Sequence, residues 1–155
     1  MNGVTISSIE ATTATASGSS QIGKRVLMMA LIAFLGMVDT FYISIKRGGP
    51  PVACHVTQGC NDVLTSKYST LAGIPISWFG LAFYFTVFST AVFALTGSAR
   101  AIRLVFWPAM AAFLISLTLV GIQAFVIHAY CEYCLMSALF STSIFLLSLF
   151  RRRAL

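Results

Sequence analysis

Residues 104–150 read LVFWPAMAAFLISLTLVGIQAFVIHAYCEYCLMSALFSTSIFLLSLF and are apolar almost throughout. As one helix this stretch would be roughly 70 Å long at about 1.5 Å per residue, more than twice the ~30 Å hydrocarbon core of a bilayer. The chain must therefore reverse once within it. The ionisable residues and cysteines of the stretch cluster between His128 and Cys134. We place the reversal there and predict two membrane crossings, at about residues 104–128 and 131–150.

The composition also indicates a membrane protein. Of the 155 residues, 58% are hydrophobic and only 9% are charged. Water-soluble domains carry about 25% charged residues, so these values exclude a soluble enzyme, and they exclude an intrinsically disordered chain as well. The formal net charge is +6. In so apolar a chain we interpret the Lys and Arg residues as membrane-orientation signals, and we expect no nucleic-acid partner.

Two more apolar runs of membrane-spanning length precede the long one. The first covers residues 26–45 and follows a pair of basic residues, and the second covers residues 74–95. Between them, residues 46–73 are polar and rich in Gly and Pro at their start, which predicts a long loop outside the hydrocarbon. We call this segment the first loop and expect it on the outer side of the membrane.

Residues 1–23 are rich in Ser, Thr and Ala and show no hydrophobic periodicity, so we predict a disordered tail there. The rest of the chain, residues 24–153, is then one domain. In lipid, only helices and closed barrels satisfy all backbone polar groups, and the apolar runs are too long for barrel strands. The sequence therefore predicts an all-α integral membrane protein, a bundle of four transmembrane helices.

The Lys and Arg residues near the ends of the crossings predict the orientation, because cytoplasmic segments carry an excess of them. The bundle would lie in the plasma (inner) membrane with both chain termini on the cytoplasmic side. All four cysteines would then lie on the non-cytoplasmic side, where disulfides persist. The expected cytoplasmic set is Lys24, Arg25, Arg100, Arg103, Arg151, Arg152 and Arg153, and the opposite set is Lys46, Arg47 and Lys67.

The four cysteines form two pairs. Residues 131–134, CEYC, are a C-x-x-C at the expected start of the fourth helix, where the helix dipole and free N–H groups lower a thiol pKa and favour exchange. Cys54 and Cys60 lie in the first loop, which is long enough to bring either one to the C-x-x-C. Two dithiols at one face suggest a relay by thiol–disulfide exchange. Two static disulfides, or a zinc site of four thiolates, are the structural alternatives.

With its neighbouring motifs, this arrangement resembles the vitamin K epoxide reductase family in its bacterial branch. The resemblance covers residues 24–150 and depends on the C-x5-C of the first loop, NDVLTS at 61–66, GIPISWFG at 73–80 and CEYC at 131–134. Another family of quinone-linked disulfide oxidases also has four crossings and two cysteine pairs. That family carries its C-x-x-C in the first outer loop, so this chain is less similar to it.

The resemblance implies a quinone-dependent thiol–disulfide oxidoreductase whose catalytic residues are the four cysteines. In bacterial members, a thioredoxin-like protein outside the membrane reduces the loop pair, which reduces the C-x-x-C, which reduces a quinone. By that pattern Cys54 would meet the partner, Cys60 would attack Cys131, and Cys134 would lie nearest the quinone. The partner would be a separate secreted or membrane-anchored protein, and the quinone a ubiquinone or a menaquinone. Membrane lipid surrounds the bundle, and no metal is expected.

The same resemblance indicates candidate quinone-binding residues: Ser66 after the loop cysteines, and Phe79 and Phe83 at the start of the second crossing. Vertebrate members use an Asn and a Tyr to contact the vitamin K head group, and this chain has Ile76 and Ala138 at the matching positions. That difference argues against the first alternative function, a vitamin K-type quinone or epoxide reductase. The second alternative is a non-enzymatic membrane scaffold that holds structural disulfides or zinc.

Three other ionisable residues are weaker functional candidates. Asp39 lies inside the first crossing, where a charged group suggests function. His55 and His128 lie close to cysteines in the sequence and, if cationic, would lower the thiol pKa values.

Overall fold

The computed structural model describes residues 5–47, 49–50, 52–96 and 101–153. Its helices are α1 (Thr5–Lys46), α2 (Cys60–Thr65), α3 (Ile76–Leu95), α4 (Ala101–Leu104), α5 (Phe106–Ile122) and α6 (Glu132–Arg153). A short 3₁₀ turn, Lys67–Ser69, follows α2, and strands β1 (Thr70–Leu71) and β2 (Ile74–Pro75) come next.

Four of the helical segments are long and apolar enough to cross a membrane. They are Gly23–Lys46, Ile76–Leu95, Phe106–Ile127 and Glu132–Phe150. These bounds overlap the four crossings that the sequence predicts, and they confirm an all-α membrane protein. The orientation of the termini and of the first loop stays a prediction.

Helix α1 begins at Thr5 and so includes most of the segment for which the sequence predicts a disordered tail. The division into a tail and a domain from residue 24 stays a prediction. Residues 1–4 lie outside the described residues, as do residues 97–100, which include Arg100 of the expected cytoplasmic set.

Small residues let α1 and α3 approach closely, as is common between membrane helices. A Cβ added at Gly36 of α1 would lie 2.5 Å from the ring of Tyr84, and one at Gly80 of α3 would lie 3.0 Å from Thr40 Cγ2. The buried Tyr84 ring fills the space beside Gly36, and the Tyr84 hydroxyl donates a hydrogen bond to the Ser137 carbonyl of α6 at 2.7 Å. The contact therefore joins three of the four spans.

The first loop ends in a two-residue hairpin rather than running directly into the second span. β1 and β2 pair antiparallel, with Thr70 opposite Pro75 and Leu71 opposite Ile74. The turn residues Ala72 and Gly73 have φ values of 52° and 82°, as a type I′ hairpin turn requires. Pro75, which lacks an N–H, then precedes the first residue of α3.

The third span ends in an irregular turn. After α5 the chain continues as a π-helical turn, Gln123–Ile127, and stops at His128, whose φ of 54° and ψ of 30° are left-handed. Helix α6 begins at Glu132, directly after Cys131. The reversal therefore lies where the sequence predicts it, and it places the C-x-x-C at a helix start.

Candidate active site

Cys131 and Cys134 are free thiols at the start of α6. Cys131 is fully buried, and Cys134 is half-buried. Gln123 lies on the π-helical turn. Its side-chain Oε1 accepts a hydrogen bond from the Cys131 N–H at 3.1 Å, and its backbone carbonyl accepts one from the Ala129 N–H at 3.2 Å. Gln123 therefore fixes the approach to the C-x-x-C from both its side chain and its backbone.

The environment of Cys131 lowers the pKa of its thiol. The largest cause is a hydrogen bond from the Cys134 thiol, and the backbone N–H groups of Cys134 and Tyr133 add to it. Burial opposes the shift, and so does the negative charge of Asp39. A thiol whose thiolate is stabilised in this way is both a reactive group and a good leaving group in disulfide exchange.

Cys54 and Cys60 form a disulfide in the first loop. Cys60 is buried at the first residue of α2, whereas Cys54 precedes that helix in an irregular segment. The Thr57 hydroxyl lies beside the disulfide, 3.6 Å from Cys54 Sγ and 4.0 Å from Cys60 Sγ. In this redox state the loop pair is oxidised and the C-x-x-C pair is reduced.

The loop disulfide packs against the C-x-x-C. Cys60 and Cys131 belong to one buried cluster with Ile43, Val52, Val63 and Leu64, and Cys54 and Cys134 pack at its edge. Gly59 makes the close approach possible, since a Cβ there would lie 2.7 Å from Ala129 Cβ and 2.9 Å from Tyr130 N. All four predicted catalytic cysteines are therefore brought together.

An apolar cavity of about 440 Å³ lies next to Cys134, within the range typical of small-molecule sites. Ser66, Phe79 and Phe83, the three residues predicted to bind a quinone, all line it. The Ser66 hydroxyl also donates to the Val63 carbonyl at 2.7 Å. The roles of these residues stay predictions, but the structure places all three in the same cavity as Cys134.

Sequence reasoning missed several polar groups of this cavity. Ser77, Gln123 and Arg47 line it as well. The Ser77 hydroxyl is buried and has no hydrogen-bond partner within the described part of the chain. Arg47 is held by Ser69, donating to its carbonyl at 2.9 Å and to its hydroxyl at 2.7 Å. A cavity whose surface is mostly apolar, with scattered polar side chains and one thiol, fits a quinone head group.

The weaker candidates have different positions. Asp39 Oδ2 is buried and lacks a hydrogen-bond partner among residues that the structure describes, while Asp39 itself is not one of the residues lining the cavity. His55 contributes its backbone N–H to a hydrogen bond with Glu132. His128 provides the left-handed residue that ends the third span. Ile76, which the sequence resemblance matches to the vertebrate Asn, lines the cavity with an apolar side chain.

The family model described as "Vitamin K epoxide reductase family" matches residues 27–149. The chain belongs to this family. The match covers all four cysteines and the residues of the cavity that we describe above. No curated protein matches the chain significantly. As a vitamin K epoxide reductase family member with four apolar helices, the protein is a membrane oxidoreductase, and enzymes of this family act with quinones in general.

Proposed function

We propose that this protein drives disulfide formation by passing electrons from a separate secreted or membrane-anchored thioredoxin-like protein to a membrane quinone. One observation carries the proposal. Cys134 lines the apolar cavity, while Cys131, three residues before it, is packed in one cluster with Cys60 of the loop disulfide. The two cysteine pairs thus connect the loop with the cavity.

The electron transfer balances as two disulfide exchanges. The dithiol of the partner reduces the Cys54–Cys60 bond and becomes a disulfide itself. The Cys60 thiolate then attacks Cys131 of an oxidised C-x-x-C, and Cys134 leaves as a thiolate. Cys54 attacks Cys60 in turn, which restores the loop disulfide and releases Cys131. The result is an oxidised loop with a reduced C-x-x-C, the state in the structure.

The residues of this chain prepare the last transfer. The lowered pKa of Cys131 favours its thiolate form beside Cys134, and Cys134 lies on the wall of the cavity. A quinone bound there would supply the oxidant: Cys131 and Cys134 would become a disulfide, and their two electrons and two protons would pass to the quinone. Phe79 and Phe83 would hold the ring, and Ser66 and Ser77 are two of the hydroxyl-bearing residues of the lining.

The proposal includes a location. Disulfide formation requires an oxidising compartment, so the loop and the C-x-x-C would face the non-cytoplasmic side of the plasma (inner) membrane. The charge distribution along the sequence supports this orientation. An impermeant thiol reagent applied to intact cells tests it, since labelling of the cysteines only after permeabilisation would contradict it.

Turnover of purified protein tests the function. With a reduced thioredoxin-like protein and a quinone supplied, we expect quinone reduction that Cys134→Ala abolishes. Cys54→Ser should abolish turnover with the protein partner but keep single-turnover oxidation of the reduced C-x-x-C by quinone. Full activity of Cys134→Ala, or loss of both reactions in Cys54→Ser, would refute the proposed sequence of transfers.

A further inference from the structure

The two residues between the C-x-x-C cysteines both contact the backbone of the first loop. Glu132 Oε1 accepts a hydrogen bond from the His55 N–H at 2.9 Å, and Glu132 Oε2 accepts one from the Val56 N–H at 2.7 Å. The Tyr133 hydroxyl donates to the Ala53 carbonyl at 3.2 Å. These contacts bracket Cys54, since they join the residue before it and the two residues after it.

The Glu132 carboxylate is well suited to this contact. It presents one oxygen to each of two successive N–H groups, and hydrogen bonds to an ionised acceptor are stronger than neutral ones. Tyr133 is supported in turn by the ring of Tyr42 on α1, with ring centroids 5.4 Å apart. The helix that carries the C-x-x-C thiols therefore also holds the loop that exchanges with them.

The contact matters most when the loop disulfide is open. Among the described residues, the segment from 52 to 59 contains no helix or strand. Besides the disulfide, two kinds of contact hold this segment in the described part of the chain. At its ends it bonds to α2, from Val52 N–H to Asn61 Oδ1 at 3.0 Å and from Val63 N–H to the Gly59 carbonyl at 3.1 Å, with the Thr57 hydroxyl 4.0 Å from Cys60 Sγ. Around Cys54 its hydrogen bonds to another element are those to Glu132 and Tyr133 of α6. Once Cys54 and Cys60 are thiols, the covalent constraint is lost, and this is the state in which Cys60 must reach Cys131.

We propose that Glu132 is a positioning residue for the exchange between the two cysteine pairs. It holds the reduced loop against the C-x-x-C so that Cys60 meets Cys131 and Cys54 stays close enough to resolve the mixed disulfide. The Glu132 carboxylate binds backbone N–H groups of the loop, and Glu132 is not among the residues that line the cavity. This inference rests on the proposed function, because it concerns the step that links the two pairs.

The test uses a Cys54→Ser variant, in which the Cys60–Cys131 disulfide forms but Cys54 cannot resolve it. After quinone oxidises the C-x-x-C, thiols are alkylated at increasing times, and the Cys60–Cys131 species is measured by mass spectrometry. We expect Glu132→Ala to slow its formation about three- to tenfold. Glu132→Gln should restore part of the rate, because its amide oxygen still accepts one N–H. Asp62→Asn, which removes an exposed carboxylate from α2, is the matched control and should leave the rate unchanged.

A second measurement separates positioning from an effect on the C-x-x-C itself. In a variant with both loop cysteines replaced by Ser, quinone oxidises the reduced Cys131 and Cys134 without the loop. The Glu132→Ala loss should be confined to the loop-dependent reaction. An equal loss in both reactions, or an unchanged rate of Cys60–Cys131 formation, would overturn the positioning role. If Cys54→Ser alone forms no Cys60–Cys131 species, the proposed function fails first, and this inference falls with it.

Discussion

Gly59→Ala should slow exchange between the two cysteine pairs without disturbing the backbone of its own residue. The φ of Gly59 is −94°, a value that alanine adopts freely. The added methyl would lie 2.7 Å from Ala129 Cβ and 2.9 Å from Tyr130 N, whereas carbon atoms in contact prefer about 3.5–4.0 Å. Neither neighbour is the flexible end of a side chain, so the start of α2 must move away from the C-x-x-C by roughly 1 Å.

The magnitude follows from the cost of overpacking. Inserting one methyl group into a tight contact costs about 1–3 kcal/mol, and this corresponds to a roughly 5- to 150-fold decrease in the docked population of the loop. We therefore expect Cys60–Cys131 formation in the Cys54→Ser background to slow by about that factor. Single-turnover oxidation of the C-x-x-C by quinone should change much less, because it does not need the loop.

Gly49→Ala is the matched control, since it adds the same methyl group to the same loop. There the nearest atom to the new Cβ is the Lys46 carbonyl oxygen at 3.6 Å, an ordinary contact. The exchange rate of this variant should equal that of the parent. If Gly59→Ala also matched the parent, the close packing of α2 against the C-x-x-C would not control the exchange, and the reasoning would be refuted.

Two further substitutions test the thiol electrostatics and the helix packing. Cys134→Ala removes the largest cause of the lowered Cys131 pKa, so the Cys131 thiolate should form only at higher pH. Ultraviolet absorbance of the thiolate, titrated in protein that lacks the loop cysteines, measures this. An unchanged midpoint of the Cys131 titration would contradict the prediction. Gly36→Ala forces a Cβ to 2.5 Å from the Tyr84 ring and should destabilise the bundle by about 1–3 kcal/mol, seen as a lower Tm in detergent. Gly121→Ala, which meets nothing within 4 Å, should not lower the Tm, and an equal decrease in both variants would refute the packing argument.

The sequence predicts the spans well because one length scale governs them. A bilayer of about 30 Å requires about 20 apolar residues per helix, and no other element satisfies the backbone in lipid. The length argument also requires one reversal within residues 104–150, and the ionisable residues and cysteines place it between His128 and Cys134. The C-x-x-C therefore lies at the start of α6. Within the site, spacing alone brings Cys131 and Cys134 to one helix end.

The contacts between distant segments could not be read in the same way. Glu132 bonds to backbone groups 77 and 76 residues away, and no periodicity in the sequence encodes such a pair. In the sequence, Gln123 is a polar residue within an apolar run and belongs to no motif. Its hydrogen bond to the Cys131 N–H depends on the π-helical turn in which it lies.

The hydrogen bonds from Glu132 and Tyr133 to the first loop involve only main-chain atoms of the loop. Every residue except proline carries the N–H that Glu132 binds at positions 55 and 56, so the identities of His55 and Val56 are not constrained by it. The Val56 side chain is 87% exposed. Two neighbouring positions beside the disulfide are therefore open to evolutionary change, while the hydrogen bonds that hold the loop next to the C-x-x-C are preserved.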